Sequence, residues 1–233
     1  MEELEKELGK YADKEKAKLL QRFFKTGKGE YGEGDIFLGL TVPKIRDLAR
    51  RFPNLDFDEL QDLLNSKIHE KRMLALVILV NRYKKSKDDK EKKRIFDFYL
   101  ANTRNINNWD LVDVNCKDIV GRYLFDKDRK ILYKLAKSRN LWEKRIAIVS
   151  TSYFIWKNQF EDTLRISEIL LKDKHDLIHK AVGWMLREIG KRDLKVEENF
   201  LKKHYKKMPR TMLRYAIEKF DEGKRLKYLN GQI

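Results

Sequence analysis

The sequence predicts an all-α protein: a right-handed α-solenoid of about six helical pairs with a basic concave groove. Three observations carry this prediction. Proline is confined to Pro43, Pro53 and Pro209. The long stretches between the prolines carry apolar residues at helical rather than alternating spacing. One helical pattern also returns along the chain at a nearly constant interval.

In chain order, apolar periodicity predicts about twelve helices, near 2–24, 42–52, 56–65, 68–85, 89–101, 107–124, 127–137, 141–158, 161–172, 176–191, 194–205 and 208–221. Thr41 before Pro43 starts the second, because proline's missing N–H costs nothing in a first turn. Asn107 or Asn108 can cap the helix that begins at Trp109. Gly27, Gly29, Gly32 and Gly34 mark one loop. That loop lacks the lysine and hydroxyl of a phosphate-binding loop and follows no strand, so it is not read as a nucleotide site.

The segments HEKRMLALVIL, NNWDLVDVNC, WEKRIAIVS, HKAVGWMLRE and RTMLRYAIEKF align with equivalent positions near 72, 109, 145, 181 and 217, separated by 37, 36, 36 and 36 residues. A period of this size with two helices per unit indicates HEAT-like repeats, and the tetratricopeptide pattern is not apparent. Stacked repeats form one domain, expected over 1–233, with a wall lined by one helix of each unit.

Composition narrows the partners. The 53 Lys and Arg against 37 Asp and Glu give a formal net charge of +16. That surplus favours nucleic acid, with an anionic membrane the lesser option. No apolar run approaches the roughly 20 residues of a membrane span, and the N-terminus lacks a signal peptide's apolar stretch. The lone Cys116 excludes an internal disulfide and fits a reducing compartment. A cytoplasmic, nucleoid-associated monomer is expected, since no apolar seam for self-association is evident.

Helical angles pick out the candidate residues. In 177–191, Ile178, Ala181, Val182, Met185 and Ile189 share one arc, while Lys180, Trp184, Arg187 and Lys191 fall on nearly the opposite side. A Trp among three cations, turned from its core stripe, is expected to face a ligand; a covering helix is the plainer alternative. In 107–124 the stripe is Val112, Cys116, Ile119, Val120 and Tyr123. Trp109 lies at its margin, followed by Asp113 and then Lys117. An acid beside an apolar stripe must be satisfied or functional, so Asp113 is either a salt-bridge partner or a working carboxylate. Arg145 holds the matching place one repeat later, as a partner for Asp113 or a phosphate clamp. Trp142 and Trp156 read as ordinary core. Lys44, Arg46, Arg50, Arg51, Arg210 and Arg214 extend the basic track.

His175 and His179 stand four apart, but no third ligand suggests itself and zinc needs three or four. Cys116 reads as a small buried hydrophobe, and no Ser/His/Asp arrangement stands out. No metal or cofactor is expected.

At these residues the sequence resembles the bacterial and archaeal alkylpurine DNA glycosylases of the AlkD type, which are built from HEAT-like repeats. FLGLTVPKIRDLAR (37–50), with Pro43 and Arg46 in register, resembles the family's early segment, and SKIHEKRMLALVILVNRY (66–83) its next helix. NNWDLVD carries the Trp and Asp, LWEKRIAI the Arg, and HKAVGWMLRE the second Trp. The chain departs where Asn108 precedes Trp109, a place that can hold another Trp, and where Val42 replaces a polar residue.

The resemblance implies that Trp109, Asp113 and Trp184 form the catalytic cleft, with Arg145 supporting it and contacting the DNA backbone. It also implies double-stranded DNA containing cationic N3- or N7-alkylated purines as substrate, cleaved without base flipping. Two other classes stay open: a non-catalytic binder of damaged or branched DNA or structured RNA, and a protein-interaction scaffold.

Overall fold

The computed structural model describes residues 1–233. It is all-α and HEAT-like as the repeat spacing predicts; its only strand-like pairing is an isolated parallel bridge between Ile36 and Ile68. The helices form two compact units, Met1–Asn115 and Cys116–Ile233.

The first unit holds α1 (Glu2–Lys10), α2 (Lys14–Phe23), α3 (Val42–Arg51), α4 (Phe57–Asn65), α5 (His69–Lys85), α6 (Asp89–Ala101) and α7 (Trp109–Asp113). Its centre is α5, buried continuously from Met73 to Val80. A helix apolar on every side must be enclosed, and α3 and α4 both pack on it. The loop between α2 and α3 folds back on the start of α5, where Ile36 N–H donates to the Lys67 carbonyl at 3.0 Å and His69 N–H to the Ile36 carbonyl at 2.9 Å. Gly39 makes this possible: its φ is +91°, and a Cβ there would collide with the Asp13 carbonyl.

The second unit holds a π-helical turn at Lys117–Gly121, then α8 (Lys130–Ala136), α9 (Leu141–Ser150), α10 (Ser152–Trp156), α11 (Glu161–Leu170), α12 (Asp176–Gly190), α13 (Leu194–His204), α14 (Arg210–Ala216) and α15 (Glu222–Leu229). Its centre is α12, which packs against α9, α13 and α14. The predicted stripe of Ile178, Ala181, Val182, Met185 and Ile189 is buried. The Ile, Val and Met side chains among them each contribute about 1.5–3 kcal/mol when fully buried. Gly183 lets α14 approach, since a Cβ there would strike the Met212 carbonyl.

Four predicted helices are interrupted. The 2–24 helix breaks at Tyr11–Asp13, because the Asp13 carboxylate accepts from the backbone N–H groups of Glu15 and Lys16 and starts α2 afresh. The 107–124 helix stops at Asp113. There the Asn115 amide donates to the Leu111 carbonyl, and the Asn115 backbone N–H turns to Val112 instead at 3.3 Å, a side-chain bond displacing a helical one. The 141–158 helix breaks at Thr151, whose hydroxyl and N–H both donate to the Ile148 carbonyl, at 2.6 and 3.2 Å. The 208–221 helix tightens into a 3₁₀ turn at Ile217–Lys219. It is followed by α15, which the periodicity missed although Asp221 caps it. No helix is long and apolar enough to cross a membrane.

Candidate functional site

In the first unit the short α7 begins at Asn108, whose side chain accepts from Trp109 N–H at 2.8 Å. The residue that marks a departure from the family pattern is therefore the helix cap. Trp109 is half-buried and packs on the cluster of Ala17, Phe24 and Phe37. Its ring stacks on Phe24 at 5.3 Å between centroids and meets Phe23 edge-on at 5.9 Å. Asp113, one turn along, is also half-buried.

Sequence reasoning missed the acid beside Trp109. Asp110 is buried; its Oδ1 accepts from Leu111 N–H at 2.8 Å, and its Oδ2 meets His69 Nε2 at 2.8 Å. The other imidazole nitrogen, Nδ1, lies 3.2 Å from Asp35 Oδ2. Arg72 Nη2 donates to that same oxygen at 2.6 Å, and Asn107 Nδ2 reaches Asp35 Oδ1 at 3.4 Å. Burial alone would pull the His69 pKa down, but the Asp110 and Asp35 carboxylates outweigh it and hold the imidazole above its ordinary value. Glu70, also buried, accepts from the backbone N–H groups of Leu38, Gly39 and Leu40 at 3.0, 2.8 and 3.2 Å, fixing the same loop. An apolar cleft opens beside this network, lined by Leu20, Phe23, Phe24, Phe37, His69 and Asp110 among others.

In the second unit, Arg145 is buried in α9 and donates from Nη1 to the Leu177 carbonyl at 2.6 Å. That geometry supports the first turn of α12. Trp184 on α12 is half-buried, and its indole N–H donates to Glu188 Oε1 at 3.1 Å.

The cations around Trp184 are less available than the helical wheel implied. Lys180 pairs with Asp176 at 2.7 Å, Lys191 with Glu188 at 2.6 Å, and Arg187 with Glu218. Three carboxylates thus offset three cations: Asp176 and Glu188 are helix neighbours of their lysines at i+4 and i+3 spacing, and Glu218 comes from the 3₁₀ turn after α14.

Trp156 corrects the expectation of core: it is 49% exposed, while Phe154 and Ile155 are buried. The break at Thr151 resets the helical phase and turns Trp156 outward. Lys157 lies 4.3 Å and Lys117 6.0 Å from its ring centre. Trp142 is buried as expected.

The remaining predicted cations differ in their partners. Lys44 and Arg46 are exposed on α3, Lys44 lying 4.2 Å over the Tyr11 ring. Arg50 pairs with Asp47 and Arg51 with Glu7. Arg214 is exposed, and Arg210 donates to the Leu229 carbonyl at 2.8 Å. His175 caps α12 by accepting from Leu177 N–H at 3.1 Å, and His179 bonds the Asp173 carbonyl at 2.6 Å. Cys116 is fully buried.

The family model described as DNA alkylation repair enzyme matches residues 4–220. Among solved structures, the chain is similar to a predicted DNA alkylation repair enzyme from Enterococcus faecalis, with TM-score 0.69 and 15% identity, covering 91% of this chain and 97% of that one. It is also similar to AlkD2 from Streptococcus mutans, with TM-score 0.54 and 21% identity, covering 90% and 99%. At these identities the likeness is one of fold. No curated protein matches the chain.

Proposed function

The chain belongs to the DNA alkylation repair enzyme family, and from that premise we propose that it is a DNA glycosylase acting on cationic N3- and N7-alkylated purines in duplex DNA. The observation that carries this reading is Asp113: a half-buried carboxylate one helical turn from the ring-stacked Trp109, in a chain of net charge +16.

The chemistry follows from the substrate. A cationic alkylpurine leaves as a neutral base, so no general acid is required. The C1′–N9 bond breaks, its electron pair goes to the purine, and the sugar develops oxocarbenium character as in other glycoside cleavages. Asp113 stabilises that charge and orients the water whose oxygen then bonds to C1′. Trp109 and Trp184 flank the deoxyribose with their electron-rich faces, each contributing about 1–2 kcal/mol where water is excluded. In this reading the chain works as one domain, with Arg145 supporting Trp184 through the first turn of α12. The base is not flipped. Lys44, Arg46, Lys117, Arg210 and Arg214 supply phosphate contacts, with a smaller share from the paired Lys180, Arg187 and Lys191, and recognition runs through backbone and deformability rather than base edges.

The test is incubation with methylated and unmodified duplex, measuring retained DNA and released 7-methylguanine. Wild type is expected to release the base only from methylated DNA. Asp113→Asn should keep DNA retention and lose about 10²–10³-fold in release rate. Retention without release by the wild type identifies a binder, and full release by the variant removes Asp113 from the mechanism.

A further inference from the structure

The first unit buries a cluster of charged side chains at the root of the candidate site. His69, Arg72, Asp35 and Asp110 are each more than nine-tenths enclosed, with the buried Glu70 beside them, and an imidazole carrying both protons brings their formal charge closer to zero than a neutral one. Geometry makes the same demand. A neutral imidazole has one N–H and one lone pair, yet both ring nitrogens here face carboxylate oxygens, at 3.2 and 2.8 Å. Removing a proton would set a lone pair against a buried carboxylate. The imidazolium makes two charge-assisted hydrogen bonds instead.

What His69 holds is the start of α7. Asp110, its partner at Nε2, is the residue next to Trp109. A second connection runs through rings: His69 stacks on Phe37 at 4.5 Å and lies 5.1 Å from Phe24, and Phe24 stacks on Trp109 at 5.3 Å. A cation against two aromatic faces is itself stabilised.

We propose that His69, bridging Asp35 and Asp110 through both ring nitrogens, is the positioning residue for Trp109 and, through α7, for Asp113. The proposal rests on the glycosylase reading for its effect on base release, not for its effect on Trp109. The charged groups around His69 are Asp35 from the loop, Glu70 and Arg72 from α5, Asp110 from α7 and, lining the adjoining cleft, Lys16 from α2. Asp35 and Asp110 hold the proton on. Arg72 and the positive end of α5 oppose it, and they are outweighed. The network is therefore intact below the ordinary imidazole range and gives way as the pH rises through His69's elevated pKa.

The test uses the full chain and two readouts. Single-turnover release of 7-methylguanine at saturating enzyme is followed from pH 5.5 to 9, and the Trp109 indole N–H, identified by its loss in Trp109→Phe, is followed by NMR alongside the His69 ring protons. In wild type, the release rate should fall and the Trp109 signal should move with the same midpoint as His69. His69→Gln should release base about tenfold to a hundredfold more slowly with a flattened pH profile and DNA retention within about twofold, since small misplacements near the reacting centre cost that much. Should that variant fail to fold, Asp110→Asn decides: with one carboxylate gone, the midpoint must move to lower pH. A Trp109 signal indifferent to the His69 titration overturns the proposal, as does a folded His69→Gln with wild-type rate and profile. If wild type releases no base at all, the glycosylase reading fails, and the shared midpoint of Trp109 and His69 alone confirms or refutes the positioning role.

Discussion

Each unit buries a titratable side chain, and the two are displaced in the same direction for opposite reasons. His69 in the first unit is 2% exposed, and its pKa is raised by two carboxylates that overcome its burial. Glu197 on α13 in the second unit is 1% exposed, and burial itself pushes its carboxyl up to about 8 against the pull of Arg187 and Lys224. One Glu197 oxygen has no hydrogen-bond partner. Partners thus keep a cation in the first unit, while solvent exclusion keeps a neutral acid in the second. The first arrangement is joined by hydrogen bonds and rings to a candidate catalytic residue, whereas the second acts through charge on Arg187, a proposed phosphate contact.

The largest effect that breaks this comparison is in the second unit. A group whose folded pKa lies above its unfolded value binds more protons when folded, so stability falls as pH rises between the two. For Glu197 that window runs from about 4.5 to about 8. The loss across it is at most on the order of 3–5 kcal/mol. Glu197→Gln should abolish that part of the pH dependence and raise the urea midpoint at pH 8, while leaving the His69 titration untouched. Denaturation curves at pH 5 and 8 check it. An unchanged pH slope would mean that Glu197 is ionised in the fold.

Next in size is the aromatic link. Phe24→Ala removes the ring between His69 and Trp109 and should cost about 3–5 kcal/mol, the usual range for a buried Phe. Trp109 should lose part of its pH dependence even where the protein stays folded, the Asp110 connection carrying the rest. A stable variant whose Trp109 follows His69 undiminished would leave the Asp110 connection as the whole of the coupling.

How much of this was legible in the sequence depends on the range of the interactions. Helices set by periodicity and local caps, such as α6 and α12, fall where the apolar spacing places them. The breaks at Asp13, Asn115 and Thr151 arise from single side chains competing with backbone hydrogen bonds, which periodicity does not register. Asp13 and Asp221 could have been read as caps. The His69 network could not: its carboxylates lie 34 and 41 positions away, and a His-Glu pair in a helix's first turn reads as surface. Trp109, Asp113 and Trp184 emerged from local patterns, and the structure leaves all three half-buried. What keeps Trp109 in place became visible only with the fold.

A smaller effect separates the two tryptophans. Trp184 is steadied by one bond to Glu188 on its own helix, where an i,i+4 contact contributes about 0.2–0.5 kcal/mol. Glu188→Gln keeps an acceptor for the indole but frees Lys191 from its ion pair. Stability should change by less than about 1 kcal/mol, and DNA retention at low salt should improve. Weaker retention would mean that Glu188 orders Trp184 for binding rather than screening its neighbours.

The smallest differences concern single phosphate contacts, and they decide whether the ion pairs around Trp184 matter. Each cation that neutralises a phosphate contributes about 0.9 to the slope of log affinity against log salt. Arg46 and Arg214 are exposed, whereas Lys180 is held by Asp176 at 2.7 Å and must exchange that partner to bind DNA. Arg46→Ala and Arg214→Ala should each reduce the slope by nearly one, and Lys180→Ala by clearly less. Equal reductions would show that Asp176 yields Lys180 to DNA at no measurable cost. The second unit would then present Lys180 as its sequence, read without that acid, assigns it to the face around Trp184.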